Sequence, residues 1–222
     1  MHPTFEDVTN VYQTVIWDWN GTLLDDVQGV VEMNNQLFPR WGLPPFESEA
    51  AYRRVFGFPI REYYRRVGVT DAIYEEVAQA WAQTYMERCH TFPLRQDAVQ
   101  AVERFRKAGL TQVILSASKQ SNLWHQVDLY PALQGQFDAI LGLDNIHAGS
   151  KVGLALDYLA QSGLDPAQAV LIGDTTHDAE VARAIGCRCL LVREGHQLPE
   201  ILAMAGCEVV DSLTQAADRV LA

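Results

Sequence analysis

Lysine is nearly missing from this chain of 222 residues: three occur, Lys107, Lys119 and Lys151, and none lies between residues 27 and 90. With 17 basic and 28 acidic side chains the formal charge is −11. Such a surface lacks the basic face that a phosphate backbone needs, so no nucleic-acid partner is expected. A small phosphorylated ligand stays open, because one lysine and one bound cation reverse the sign locally. Cysteine is sparse as well. Cys89, Cys187, Cys189 and Cys207 show neither zinc-type nor redox spacing and read as thiols of a reducing cytosol. No apolar run is long enough to span a bilayer, and Met1 to Asn10 is polar and acidic without an apolar signal core. A cytoplasmic protein without membrane contact is expected. Repeats and low-complexity segments are absent too. With 48% apolar and 20% charged residues the chain can bury a sizeable core, as one large domain or as a core with a smaller insert.

What is present is a pair of acidic strand ends. Val15-Ile16-Trp17 runs into Asp18, and Trp19-Asn20-Gly21-Thr22-Leu23-Leu24 follows with an Asn-Gly turn. Leu171-Ile172-Gly173 runs into Asp174, with Asp178 four residues on. A carboxylate at the end of a buried strand stands where open α/β sheets present groups to ligands. Two such ends suit a hard divalent cation, which takes oxygen ligands from carboxylates and phosphates. The reading is a magnesium-dependent phosphoryl site.

Around these ends the chain alternates. A strand is predicted over Tyr12 to Asp18 and then, after Pro93, a helix over Asp97–Ala108 ending at Gly109. There follow a strand at Leu110–Ser116, a helix at Gln120–Tyr130, a strand at Phe137–Leu143 and a helix opening at Lys151 and stopping at Gly163. A strand at Ala169–Gly173, a helix from about Asp178 to Ile185, strands at Cys189–Val192 and Glu208–Val210 and a short terminal helix finish the series. Alternation of this kind implies right-handed crossovers and a parallel sheet. Between Val27 and His90 the texture differs. Ile73, Val77, Trp81 and Tyr85 recur one turn apart, and Pro44-Pro45 and Phe58-Pro59 divide the region into short helices.

Four motifs in order, spanning Thr14 to Leu191, carry a resemblance to the haloacid dehalogenase superfamily of aspartyl-nucleophile hydrolases. They are Asp18-Trp19-Asn20-Gly21-Thr22-Leu23, Val113-Ile114-Leu115-Ser116, the helix-opening Lys151, and Gly173-Asp174-Thr175-Thr176-His177-Asp178. Lys151 lacks the proline that often follows it in relatives. The resemblance implies a Rossmann-like parallel core, residues 11–26 and 91–222, bearing a helical cap domain at residues 27–90. It further implies a phosphatase of the phosphoglycolate-phosphatase-like branch, acting on a small phosphorylated metabolite. Asp18 is then the nucleophile, and Ser116, with backbone N–H groups near Ala117, and Lys151 hold the phosphoryl group. Asp18, the carbonyl of Asn20 and Asp174 hold Mg2+, with Asp178 helping through water.

Each assignment has a plainer counterpart. Asp178 suits a helix N-terminus through the dipole, and Ser116 could cap the helix near Gln120. A lysine opening a helix opposes the dipole, so Lys151 needs an anion elsewhere, and Asp18 is the candidate. Lys107 reads as solvated, and Lys119, near the second motif, as surface. Arg53, Arg54, Arg61, Arg65 and Arg66 read as a solvated face, one of them a candidate for an anionic group on the substrate. Asn20 is the main departure, standing where phosphatases of the family carry the acid that protonates the leaving oxygen. An amide cannot shuttle a proton at neutral pH. A phosphate-binding or regulatory protein with little turnover is therefore the rival expectation. Phosphonoacetaldehyde hydrolases share an Asp-Trp followed by a non-acid residue, but need a cap lysine that residues 27–90 lack. Haloacid dehalogenases work without metal, which leaves Asp174 and Asp178 without purpose.

Overall fold

The computed structural model describes residues 12–147 and 151–222, so the polar N-terminal segment lies largely outside the described residues. Six parallel strands form one sheet: β1 (Thr14–Trp17), β2 (Thr111–Lys119), β3 (Ala139–Leu143), β4 (Ala169–Gly173), β5 (Arg188–Val192) and β6 (Glu208–Val210), in the order β3-β2-β1-β4-β5-β6. The chain builds outward from β1 on one side and then crosses to β4 on the other. That places the switch point of the sheet between β1 and β4, where a crevice opens beyond the carboxyl ends of the strands.

Helices cover both faces, as continuous apolar strands require. Val15 and Trp17 face one side with Phe105 and Leu123, from helices α5 (Ala98–Lys107) and α6 (Gln120–Asp128). Ile16, Leu115 and Leu171 face the other, with Ala155 and Val181, from α7 (Val152–Ser162) and α8 (Thr176–Ile185). A single turn at Pro199–Leu202, α9, was not expected from the sequence, and α10 (Leu213–Leu221) ends the chain. Between β1 and α5 stand α1 (Val27–Leu37), α2 (Glu49–Val55), α3 (Ile60–Arg66) and α4 (Tyr74–Arg88), the helical cap. Its Met33, Tyr52, Tyr63, Val77 and Tyr85 are buried in one apolar cluster continuous with Trp17 of β1 and Trp19 just beyond it.

Two boundaries differ from expectation for local reasons. Helix α8 starts two residues earlier because Thr175 is its N-cap, in a capping box with Asp178. Strand β2 runs three residues past Ser116, through a register irregularity against β3 between Leu115 and Lys119. Bulges of this kind re-aim side chains, and here the irregularity begins at Ser116, the last residue of the second motif.

Candidate active site

The strand register puts the acids together. Trp17 lies beside Ile172 of β4, and the amide of Asp18 donates to the Ile172 carbonyl at 2.9 Å, so Asp18 and Asp174 emerge side by side. Oxygen atoms of Asp18, Asp174 and Asp178 lie within 4.8 Å of one another, and all three side chains are buried. Lys151, at the N-cap of α7 and 2% exposed, reaches into this group. Its Nζ donates to Asp18 Oδ1 at 2.5 Å and to the Leu115 carbonyl at 3.0 Å, and it pairs with Asp178 Oδ1 at 2.8 Å. The anion expected for a helix-opening lysine is thus Asp18, with Asp178 as a second.

Asp178 carries a double load. Its Oδ2 accepts from the Asp174 and Thr175 amides and from Thr175 Oγ1 (3.2, 3.0 and 2.7 Å), while Oδ1 holds Lys151. Asp174 is held in turn by Thr22 Oγ1 at 3.0 Å and by the His196 amide at 2.6 Å. A Cβ on Gly21, whose φ is +70°, or on Gly195 would overlap the Asp174 carboxylate, so glycine lets both loops close on it.

Three carboxylates therefore share one lysine. Burial raises the pKa of Asp18, Lys151 lowers it in part, and Asp178 and Asp174 push it up again, for a net rise. Burial likewise raises that of Asp174 against the pull of His196. Asp178 ends below the usual range despite burial, because Lys151 and Thr175 stabilise its ionised form. This oxygen-rich, anionic pocket fits a divalent cation in charge and in donor type.

A second buried network, unforeseen from the sequence, surrounds Asn20. Its Nδ2 donates to Asp26 Oδ2 at 2.9 Å and to Tyr85 Oη at 2.6 Å, and its Oδ1 accepts from Ser118 Oγ at 3.0 Å. Asp26 also accepts from the Gly21 amide at 2.9 Å and from Tyr85 Oη at 2.6 Å, and pairs with His196 Nε2 at 3.1 Å. His196 Nδ1 meets Tyr52 Oη at 2.7 Å. The position that holds an acid in related phosphatases here donates to an acid. Asn20 and Asp26 are six residues apart, but Tyr85 and His196 come from distant chain, 59 and 170 residues from Asp26. The one sequence signal was the Asp25-Asp26 pair just after the first motif.

Burial alone would lower the pKa of His196, but Asp26, its hydrogen bond, Asp174 and Asp18 lift it above its ordinary 6.5. A group so raised adds stability that is fully present below pH 6.5 and is lost as pH rises through its folded value. His196→Gln is expected to cost roughly 1.5–3 kcal/mol below pH 6.5 and less at pH 9. Denaturant midpoints across that range check it, and a cost independent of pH would show that the pair carries no charge.

Ser116 is buried and lines the same cavity; its Oγ accepts from the Ser118 amide at 3.1 Å. It does not cap α6, whose N-cap is Lys119 and has no side-chain cap. Ala117 and Lys119 also line the cavity, Lys119 as an exposed side chain. The five cap arginines stay outside the lining. Arg53 pairs with Glu49, Arg61 with Asp71, Arg65 with Glu62 and Asp71, and Arg66 donates to the Val55 carbonyl.

Comparison with known proteins agrees with this geometry. A family model for haloacid dehalogenase-like hydrolases matches residues 15–192. Tyrosine-protein kinase PtkA of Mycobacterium tuberculosis is 26% identical over 200 residues, covering 89% of this chain and 68% of PtkA. Phosphoglycolate phosphatase of Synechococcus elongatus is 25% identical over 187 residues, 82% of this chain and 84% of that protein. The solved structure of a haloacid dehalogenase-like hydrolase from Streptococcus pneumoniae shares the fold, with a TM-score of 0.82 at 19% identity over 94% of this chain and 98% of that one. No helix among the described residues is long and apolar enough to cross a membrane. The chain belongs to the haloacid dehalogenase-like hydrolases.

Proposed function

We propose that this chain hydrolyses a small phosphate monoester through a phosphoryl-enzyme intermediate on Asp18, with magnesium as cofactor. The observation that carries the reading is one buried lysine facing three converging carboxylates, a charge excess that a divalent cation corrects. Asp18, the main-chain carbonyl of Asn20 and Asp174 would hold the ion, and Asp178 would act through water, since its oxygens already serve Lys151 and the α8 cap. When bound, the ion neutralises the meeting of a carboxylate with a phosphoryl group. Residues 27–90 act as the cap and residues 11–26 with 91–222 as the core in this reading.

The residues divide the work. Asp18 attacks phosphorus, the ester P–O bond breaks, and the alkoxide leaves; water then attacks the acyl phosphate and frees Asp18. Lys151 favours the ionised form of Asp18 and orients it, and with Ser116 and backbone N–H groups near Ala117 it holds the phosphoryl oxygens. The site cavity, about 150 Å³, suits a small ester.

Asn20 supplies no proton to the leaving alkoxide, since both its amide hydrogens and its carbonyl are engaged. That same observation favours the second reading, a phosphate-binding or regulatory protein with little turnover. Magnesium-dependent phosphate release from 4-nitrophenyl and acetyl phosphate separates the two: release supports the enzyme, and binding without release supports the regulator. Asn20→Asp sets a carboxyl beside Asp26, and a like charge at hydrogen-bonding distance raises a carboxyl pKa. The variant is expected to speed alkyl phosphates by at most the 10²–10⁴-fold open to a general acid and aryl phosphates less. Its stability should fall as pH rises, because the folded protein keeps a proton that the unfolded chain releases. Kinetics on both ester types, with magnesium affinity measured alongside, check the outcome; an equal effect on both would remove Asn20 from proton supply.

A further inference from the structure

The cavity beyond the carboxylates has an unusual wall. Phe58, Tyr64, Tyr74, Trp81 and Tyr85 of the cap line it, and His177 of α8 stacks on Phe58 with ring centroids 4.6 Å apart. Cations are scarce there. Lys151 is committed to Asp18 and Asp178 and His196 to Asp26, which leaves Lys119, an exposed side chain of the lining, as the one lysine of the cavity not already paired with an acid among the described residues. The cap arginines are outside the lining, four of them anchored on acids or carbonyls of the protein. A carboxylate seated among the aromatic rings would lose its water and find a counter-charge only where it reached the exposed Lys119, an unfavourable exchange elsewhere along the wall. A flat uncharged ring would instead meet ring faces and edges on several sides.

Size and one unpaired atom narrow the occupant further. The cavity measures about 150 Å³ and includes the phosphoryl position between Asp18, Ser116 and Lys151; apolar cavities of that size take up benzene, so the leaving group has room for one ring at most. His177 Nε2 is buried and has no hydrogen-bond partner among the described residues, although its residue lines this cavity and is 8% exposed. Buried ring nitrogens are normally satisfied, so a polar substituent on the ring would complete it.

We propose that the substrate of this site is a phosphate monoester whose leaving group carries a single uncharged ring, seated against Phe58 and Trp81, with a ring substituent on His177 Nε2. The proposal rests on the phosphatase reading above and replaces a carboxylate-bearing ester, such as phosphoglycolate, by a ring-bearing one.

The test must separate ring recognition from leaving-group ability, because Asn20 by itself favours good leaving groups. Benzyl phosphate, ethyl phosphate and phosphoglycolate all leave as alkoxides, so kcat/KM across them reads recognition. The wild-type enzyme with magnesium is expected to prefer benzyl phosphate over ethyl phosphate about tenfold or more, and over phosphoglycolate by a wider margin. Phe58→Ala should shrink the benzyl-to-ethyl ratio severalfold. A hydroxyl on the benzyl ring should improve kcat/KM in at least one ring position, and His177→Phe should remove that gain while keeping the benzyl preference. Phosphoglycolate turned over as well as benzyl phosphate would overturn the proposal, and a hydroxyl without effect in every position would remove His177 from it. Calorimetric binding of benzylphosphonate against phosphonoacetate, in magnesium, decides the matter without turnover. Tighter benzylphosphonate supports the ring, whereas tighter or equal phosphonoacetate, or no binding of either, overturns it. Absence of phosphate release from every ester, 4-nitrophenyl phosphate included, would instead overturn the phosphatase reading and leave the phosphonate comparison standing on its own.

Discussion

Asp18→Asn is expected to abolish phosphate release from alkyl, aryl and acyl phosphates alike, by at least on the order of 10⁴-fold, while making the magnesium-free protein more stable. The activity loss follows because an amide cannot form the phosphoryl-enzyme bond, and no leaving group compensates for a missing nucleophile. The stability gain follows from the charge count. Asp18 has a raised pKa in the folded protein, because it is buried beside Asp178 and Asp174 with one lysine among them. A carboxyl so raised costs stability above its unfolded value and costs nothing at pH below it. Lys151 keeps Asp178 at 2.8 Å and the Leu115 carbonyl at 3.0 Å when Asp18 loses its charge. The midpoint in EDTA at pH 7–8 should therefore rise, by about 2–4 °C for each kcal/mol in a protein of this size. The rise should vanish near pH 4. Loss of activity together with a lower midpoint would point to disrupted folding and overturn the assignment.

Lys151→Met should do the reverse to stability. It leaves Asp18 and Asp178 without the cation that contacts them, and breaking a buried pair by removing one partner costs about 3–5 kcal/mol. Because the uncompensated charge is negative, magnesium should restore much of the loss, as should lowering the pH until the carboxyls protonate. Turnover should fall by on the order of 10²–10³-fold, the usual effect of removing one charge-stabilising group from a transition state. Unfolding in EDTA, in millimolar magnesium and at pH 5 tests this. A variant as stable in EDTA as the wild type would show that Lys151 does not balance the three acids.

The two residues were not equally legible in the sequence. Asp18 and Asp174 are strand-end residues, and a parallel sheet with its switch point between β1 and β4 brings such ends together whatever the loops do. Lys151 was legible through its oddity, a cation at a helix start that local charge did not explain. The helix–strand alternation after Pro93 was readable because buried parallel strands are short apolar runs and glycine marks the helix ends at Gly109, Gly163 and Gly186. The boundary of α8 was misplaced because a threonine two residues outside the apolar pattern, Thr175, supplies the cap. The length of β2 was underestimated because pairing with β3 continues across an irregularity that no local pattern marks.

Asn20 shows where local reading ends. In the sequence it is a missing acid, and its cost can be argued from chemistry alone. In the folded protein it is the donor to Asp26 and Tyr85 and the acceptor from Ser118, an arrangement in which a second carboxylate would face Asp26 at hydrogen-bonding distance. Nothing near residue 20 announces Tyr85 or His196, because partners brought by a cap helix and by the loop after β5 have no periodic relation to it.

The sequence by itself determined the parallel core, the helical insert between the first and second motifs and the acids at the strand ends, because these depend on periodicity and on residue types at element boundaries. Only the tertiary structure decided which acids Lys151 neutralises, that Asp26 and His196 sit behind Asn20, and that aromatic rings rather than the cap arginines line the cavity. Those outcomes depend on which side chains of separate elements meet across the cap–core boundary. Helical spacing marks one face of a cap helix as apolar; docking onto the core decides whether that face fills the interior or borders the site.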